Sequence, residues 1–210
     1  MKLRCVLFLA TLLYIQTVVS KKKVEKKKEE KVVSKNVDIF EAVRKNSERD
    51  IRDAIDAGAD INAIGPGGQT PLMNAILTGK QWAVHELLRL GASVTIGEKD
   101  GYTPMHGAGF QGRWDIIPAL VANGLDPSDQ HRDGFMPIHR ACWGGEQRHT
   151  NTVRELLDIG VPYDQAAKNG QTPLDAAKRS GNTSTIKLLE EWAAKAAKDG
   201  KPAKPAKAEL

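Results

Sequence analysis

Apolar and polar positions along the chain follow one pattern that recurs four times. Each copy has a short apolar helix, a Gly, a second helix ending in paired aliphatic residues, then Gly and a polar loop. The copies open as TPLMNAILTG, TPMHGAGFQG, MPIHRACWGG and TPLDAAKRSG. Their prolines, Pro71, Pro104, Pro137 and Pro173, are spaced by 33, 33 and 36 residues. The pattern predicts a helix–turn–helix unit repeated along the chain.

Physical reasons support this reading of the copies. A Thr before the Pro can accept a hydrogen bond from an unpaired helix amide, and Pro at the first helical position loses no hydrogen bond. Small residues in the first helices allow neighbouring units to approach closely: Ala75, Ala108, Ala141 and Ala177. One unit cannot bury the aliphatic stripe of its second helix alone, so the units must stack. The stripe consists of Leu87/Leu88, Leu120/Val121, Leu156/Leu157 and Leu188/Leu189.

A period near 33 with this motif resembles the ankyrin-repeat family. The resemblance implies an all-α solenoid of stacked helix–turn–helix units joined by β-turn loops. It covers residues 36–194, and a first, degenerate copy without Thr-Pro brings the number of repeats to five. The expected repeat bounds are 36–66, 67–99, 100–132, 133–168 and 169–194.

Both ends of the array carry charged residues where an inner repeat would be apolar. The first repeat has Glu41, Arg44 and Lys45 in its first helix, as suits an end repeat with one face in water. In the last repeat Lys178 replaces the Ile, Gly or Cys of the other copies, which predicts that nothing stacks beyond it. Inside the array, Pro118 is expected to bend the start of a second helix.

Residues 1–20 have the composition of a secretory signal. Lys2 and Arg4 precede the apolar run from Cys5 to Val19, and a cut after Ser20 would leave Lys21 as the first residue. This predicts entry into the secretory pathway, with no stable membrane span after cleavage. The alternative is a signal-anchor with the array in the cytosol, because the following Lys cluster is more basic than the start.

The segments flanking the array are basic. Residues 21–35 form a Lys/Glu-rich arm that is predicted to be solvated, and residues 195–210 form a tail of Lys, Pro and Ala. The last four residues, KAEL, resemble an endoplasmic-reticulum retrieval signal, although Ala208 departs from its acidic position. The expected location is therefore the lumen of the endoplasmic reticulum, or the medium if retrieval fails.

The net charge of +5 belongs to these flanks. The array from Val32 to Ala194 has 17 basic and 21 acidic residues. It shows no clustered basic surface, so no nucleic-acid partner is expected.

No catalytic, metal or cofactor site is expected. Cys142, the one thiol left after signal removal, follows His139 by three residues, and a Cys142-dependent enzyme is the alternative. Position 142 is a small-residue slot of the repeat, so a buried thiol is predicted instead. Asn182 begins a glycosylation sequon, Asn-Thr-Ser, and also occupies the turn between two helices.

The resemblance implies a monomeric, non-catalytic module that binds a protein partner through its loop tips and first helices. Four of the nine aromatics outside the signal fall in these positions of two adjacent repeats, and they are expected to form one exposed patch: Tyr102, Phe110, Phe135 and Trp143. The predicted binding residues are these four together with Gln111, Arg140 and Arg179.

Overall fold

The computed structural model describes residues 38–198, and this part of the chain is all-α. The helices, numbered here in chain order, are α1 Ile39–Lys45, α2 Glu48–Asp56, α3 Pro71–Thr78, α4 Gln81–Arg89, α5 Pro104–Gln111, α6 Ile117–Ala122, α7 Pro137–Cys142, α8 Gln147–Asp158, α9 Pro173–Ser180 and α10 Thr183–Lys198. Short 3-10 turns span Pro66–Gly68 and Trp114–Ile116. The helices form five antiparallel pairs, which confirms the predicted solenoid.

The first helices begin largely as the motif predicts. Thr70 Oγ1 accepts a hydrogen bond from the Met73 amide at 3.2 Å. Thr172 and Asp175 cap each other reciprocally, with N···O distances of 3.0 and 3.2 Å. Thr103 differs, since its hydroxyl makes no cap and instead lies 2.8 Å from His106 Nδ1.

The repeats stack in two layers. The odd-numbered helices α1, α3, α5, α7 and α9 pack side by side, and the second helices form the other layer. The four motif alanines are fully buried, as their role in close helix approach requires. The aliphatic pairs join one continuous apolar core that runs from Ile39 to Leu189. The surface formed by the odd-numbered helices and their preceding loops is called the first-helix face below.

Neighbouring repeats are also tied by polar contacts. The carboxylate of Glu86 on α4 is nearly buried and accepts from Arg52 of the first repeat at 2.9 Å and from Arg89 at 2.7 Å. The hydrogen bond from Arg89 is the main reason why the pKa of Glu86 is lowered. A buried carboxylate is tolerated here because two guanidinium groups neutralise it.

Each long loop closes with the same backbone turn. In the third repeat the Glu98 amide donates to the Tyr102 carbonyl at 2.9 Å, and Gly101 donates back to the Glu98 carbonyl at 2.7 Å. Gly101 has φ +91°, a backbone conformation that residues other than Gly rarely adopt. Pairs with the same spacing close the other loops: Gly65/Gln69, His131/Phe135 and Ala167/Gln171. Since the turns repeat, each residue after the loop Gly sits at an equivalent place.

The helices of two repeats differ in length from those of the others. In the third, the second helix opens with the 3-10 turn, and α6 begins at Ile117 with Pro118 in its first turn. Pro118 thus lies in the first turn of α6, where its missing N–H removes no intrahelical hydrogen bond. The fourth repeat is three residues longer than the two before it, judged by the spacing of the prolines. In it, α7 ends at Cys142 and α8 is 12 residues long.

The last helix extends past Ala194, the predicted bound of the fifth repeat. Helix α10 runs to Lys198, whereas the tail was expected to leave the fold at Lys195. The reason is local: AAKAAK is rich in strong helix formers, which extend the last helix by about one turn. Lys178 on α9 is exposed, consistent with an end face to which no repeat is added.

No helix within residues 38–198 is long and apolar enough to cross a membrane. The expectations for the signal, the Lys/Glu-rich arm and KAEL lie outside the described residues.

Candidate functional site

Arg140 on α7 is 8% exposed and is surrounded by aromatic rings on the first-helix face. Its guanidinium carbon lies 4.2 Å from the ring centroid of Tyr102, 4.1 Å from that of Trp143 and 5.1 Å from that of Phe135. The Tyr102 ring also packs against the His131 ring, with centroids 3.9 Å apart. Four side chains therefore form one group, called the Arg140 stack: His131, Tyr102, Arg140 and Trp143. Cation–π contacts of this kind hold a long, flexible side chain in one orientation.

Asp133 fixes the Arg140 stack from the loop. Its Oδ1 accepts from the Phe135 amide at 3.0 Å, and its Oδ2 accepts from the Tyr102 hydroxyl at 3.0 Å and from Arg140 Nη2 at 3.2 Å. Burial opposes ionisation of Asp133, but bonds from Phe135, His131 and Tyr102 outweigh it and lower its pKa to about 2. Asp133 is thus an anion that offsets the charge of Arg140.

The side chain of His106 on α5 is uncharged and lines the same site. Its Nε2 lies 3.1 Å from the carbonyl of Phe135, which can only accept, and its Nδ1 lies 2.8 Å from the Thr103 hydroxyl. Nε2 therefore carries the proton, and Nδ1 accepts from Thr103. Burial lowers the pKa of His106, in agreement with an uncharged ring.

A pocket of about 190 Å³ opens beside the Arg140 stack. It spans three repeats: Leu77 comes from α3, Phe110 from α5 and Arg140 from α7. Its full lining is Leu77, Glu98, Tyr102, His106, Gly107 and Phe110 with Arg140. Phe110 is 52% exposed, one of four large apolar side chains in residues 38–198 that are open to solvent, and it is the one that lines this pocket. The pocket combines an apolar wall with a few fixed polar groups, as binding sites do.

Five of the seven predicted binding residues are brought together by the structure. Tyr102, Phe110 and Arg140 line the pocket, and Trp143 and Phe135 lie against Arg140. Gln111 and Arg179 lie outside both the pocket lining and the Arg140 stack.

The expectation that Phe135 belongs to an exposed patch is wrong. Phe135 is only 9% exposed, and it packs edge-on against Trp143 and His139 at centroid distances of 5.3 and 5.4 Å. It lies beneath Trp143 and supports it. Trp143 and Tyr102 are half-buried, so of the four aromatics predicted to form the patch only Phe110 is exposed.

Other members of the site were not singled out from the sequence. Glu98 and His131 occupy the same turn position of successive loops. Because the residue type at this position differs between the repeats, the sequence motif does not point to it. Asp133 could have been noticed in the sequence, because it directly precedes the loop Gly134. An Asp before Gly is typical of a turn in which the Asp side chain accepts from a backbone amide. That signal indicates the turn but not the contact with Arg140.

Cys142 is buried as predicted. The thiol is fully inaccessible, and burial raises its pKa far above the ordinary range, so the reactive thiolate is not populated. His139 Nδ1 accepts from the Met136 amide at 3.1 Å, and no hydrogen bond joins His139 to the Cys142 thiol within residues 38–198. Among residues 38–198 no group of His, Cys, Asp or Glu side chains is arranged to hold a metal ion.

The sequon at Asn182 is part of the fold. Its Nδ2 donates to the Gly144 carbonyl at 2.8 Å, and its Oδ1 accepts from the Thr185 amide at 3.1 Å. The residue is 6% exposed, so the folded protein does not present this amide for glycosylation.

Comparison with protein families gives one clear match. A family model described as ankyrin repeats, in three copies, matches residues 39–131 and again residues 110–199. Together the two matches span well over half of the chain and coincide with the stacked helices. A search of curated proteins gives no match.

Proposed function

This chain belongs to the ankyrin-repeat family, and on that basis we propose that its first-helix face binds a protein partner without catalysing a reaction. Ankyrin arrays are protein–protein interaction modules. The finer proposal is the place of binding: the pocket beside Phe110 together with the Arg140 stack.

The observation that carries this proposal is the contrast between Phe110 and its surroundings. Phe110 exposes half of its surface at the mouth of a pocket whose other walls are held by hydrogen bonds and ring contacts. An exposed aromatic beside rigid polar groups has the composition of a binding hot spot. Because Arg140 is already fixed by Asp133 and Tyr102, little side-chain entropy would be lost on binding.

Gln111 and Arg179 are proposed to lie at the rim of this interface. Gln111 follows Phe110 on α5, and Arg179 is exposed on α9 of the last repeat. Rim residues affect the rate of encounter more than the affinity, so their substitution should matter less than that of Phe110.

For the compartment, we propose that the chain enters the secretory pathway and remains in the endoplasmic reticulum as a monomer. The apolar run after Lys2 and Arg4 supports entry, and KAEL supports retention. The acidic balance of the array argues against a nucleic-acid partner.

The function is tested by proximity labelling in the native cell, followed by affinity measurements with the partner so identified. Phe110→Ala should weaken binding by about 2 kcal/mol, because a hot-spot aromatic would be lost. Trp82→Ala is the matched control. Trp82 is 60% exposed, but it lies on a second helix, outside the first-helix face.

Both variants should unfold at nearly the wild-type urea concentration, since neither side chain is in the core. Trp143→Ala should also weaken binding, although the loss of its contacts with Arg140 and Phe135 will lower stability as well. Equal affinity of the wild type and Phe110→Ala would place the interface elsewhere.

A further inference from the structure

We propose that the pocket beside Phe110 receives a long basic side chain, lysine or arginine, from an extended segment of the partner. This inference rests on the proposed function, because it names what the same site recognises. It follows from the charges around the pocket and from the shape of the pocket walls.

The charges of the pocket leave one carboxylate uncompensated. Arg140 is paired with Asp133, and His106 is neutral because of its hydrogen bonds. Tyr102 is uncharged, since burial raises its pKa. Glu98 is the remaining charged group of the lining, so the pocket carries about one net negative charge.

Glu98 is also short of hydrogen-bond donors. Gln69 Nε2 donates to its Oε1 at 2.8 Å, whereas Oε2 has no donor within residues 38–198. No Lys, Arg or His in that range comes within 4 Å of the carboxylate, including its exposed neighbour Lys99. A half-buried carboxylate with a free oxygen offers a cation a charge-assisted hydrogen bond.

The walls suit the stem of such a side chain. Leu77, Gly107 and the exposed ring of Phe110 form an apolar surface leading to Glu98. Lysine and arginine bury their methylene stems along apolar surface and keep the charged head on a polar partner. A volume of about 190 Å³ is enough for one such side chain and too small for a folded element.

An acidic side chain is disfavoured at the same place. Glu98 would repel a second carboxylate across the pocket, and Asp133 already offsets the charge of Arg140. The geometry thus favours a basic residue by attraction at Glu98 and by exclusion of acids.

The test uses random 12-residue peptides displayed on phage and selected on the full chain. Recovered peptides are synthesised, and their dissociation constants are measured for the wild type, Glu98→Gln, Phe110→Ala and Glu190→Gln. Glu190 is an exposed carboxylate on α10 and serves as the matched control. Circular dichroism and urea unfolding confirm that every variant is folded.

The expected result is a shared Lys or Arg in the selected peptides. Glu98→Gln and replacement of that residue by norleucine should each weaken binding about tenfold, without adding to each other in the double change. Glu190→Gln should have no effect. Comparison of Lys with Arg peptides shows which head group fits better.

Three outcomes would count against the inference. If the peptides bind Glu98→Gln as tightly as the wild type but lose affinity with Phe110→Ala, the basic residue is wrong and the first-helix face stands. If Phe110→Ala also has no effect, the peptides bind outside the pocket and the inference is overturned, while the proposed function is judged by the affinity of Phe110→Ala for the partner. If no peptide is recovered, or if the recovered peptides are acidic, the inference that the pocket receives a basic side chain is wrong. The proposed function is unaffected by this result, because partner binding is measured separately.

Discussion

At the residue scale, His106 and His139 occupy the same position of two neighbouring repeats, and both are buried. His106 lies 3.1 Å from the Phe135 carbonyl of the next repeat and 2.8 Å from the Thr103 hydroxyl of its own, and His139 accepts from the amide of Met136, the N-cap of its own helix. Burial lowers the pKa of His139 from its ordinary value of 6.5 to about 4. This shift makes the stability of the array depend on pH.

The direction of that dependence follows from proton binding. The unfolded chain takes up a proton near pH 6.5 and the folded chain only near pH 4, so the unfolded state binds more protons between these values. We expect the free energy of unfolding to fall as pH drops from 6.5 to 4, by about 3 kcal/mol from this group. His106 should add a loss of the same sign.

Urea unfolding at pH 7, 5.5 and 4 measures this effect, with His139→Gln as the comparison. The Gln side chain can still accept from the Met136 amide but does not titrate, so its stability should fall less. Asp133 stays ionised throughout this range, because its pKa is about 2. An equal loss in the wild type and His139→Gln would show that His139 is not the titrating group.

At the scale of elements, the contact between α5 and α7 is set by Gly109. A methyl group added there would lie 2.3 Å from the Pro137 carbonyl oxygen, which is backbone and cannot rotate away. We expect Gly109→Ala to destabilise the array by about 1–3 kcal/mol, because α7 must move to accommodate it. Urea unfolding at pH 7 measures the loss.

Gly145, between α7 and α8, is the matched control. An added methyl meets no atom within 4 Å there, so Gly145→Ala should change stability by less than about 0.5 kcal/mol. If Gly109→Ala were as stable as Gly145→Ala, the close approach of the two helices would not limit their packing. Movement of α7 would also displace Arg140, so Gly109→Ala should weaken partner binding.

At the scale of the whole molecule, charge is divided between the array and its flanks. The array is acidic on balance, and the basic residues that make the chain cationic lie in the arm and the tail. An acidic array is consistent with a partner segment that carries a basic side chain.

Sorting is also a property of the whole molecule. Deletion of Lys207–Leu210 should release the protein into the medium if KAEL is read by a retrieval receptor. Cell and medium fractions of cells expressing the two forms measure this, and the mature terminus should be Lys21. Equal secretion of both forms would remove the retrieval proposal, and an intact Met1 on the purified protein would contradict signal cleavage.

The sequence by itself determined the repeat, the helix pairs and the buried slots. Thr-Pro, Gly and the aliphatic pairs act within one repeat, so their effects could be predicted from local spacing. This is why Cys142 and the motif alanines were correctly expected to be buried. It is also why the helix formers after Lys195 could have indicated the longer last helix.

Only the tertiary structure decided the site. Tyr102 and Arg140 are 38 residues apart in the chain, and Leu77, Phe110 and Arg140 come from three different repeats. No local pattern shows that Phe135 turns inward while Phe110 stays exposed. Whether a side chain at a repeated position is covered or paired depends on the residue that the neighbouring repeat places beside it. Among residues 38–198 no Lys, Arg or His lies within 4 Å of the Glu98 carboxylate, which accepts only from Gln69.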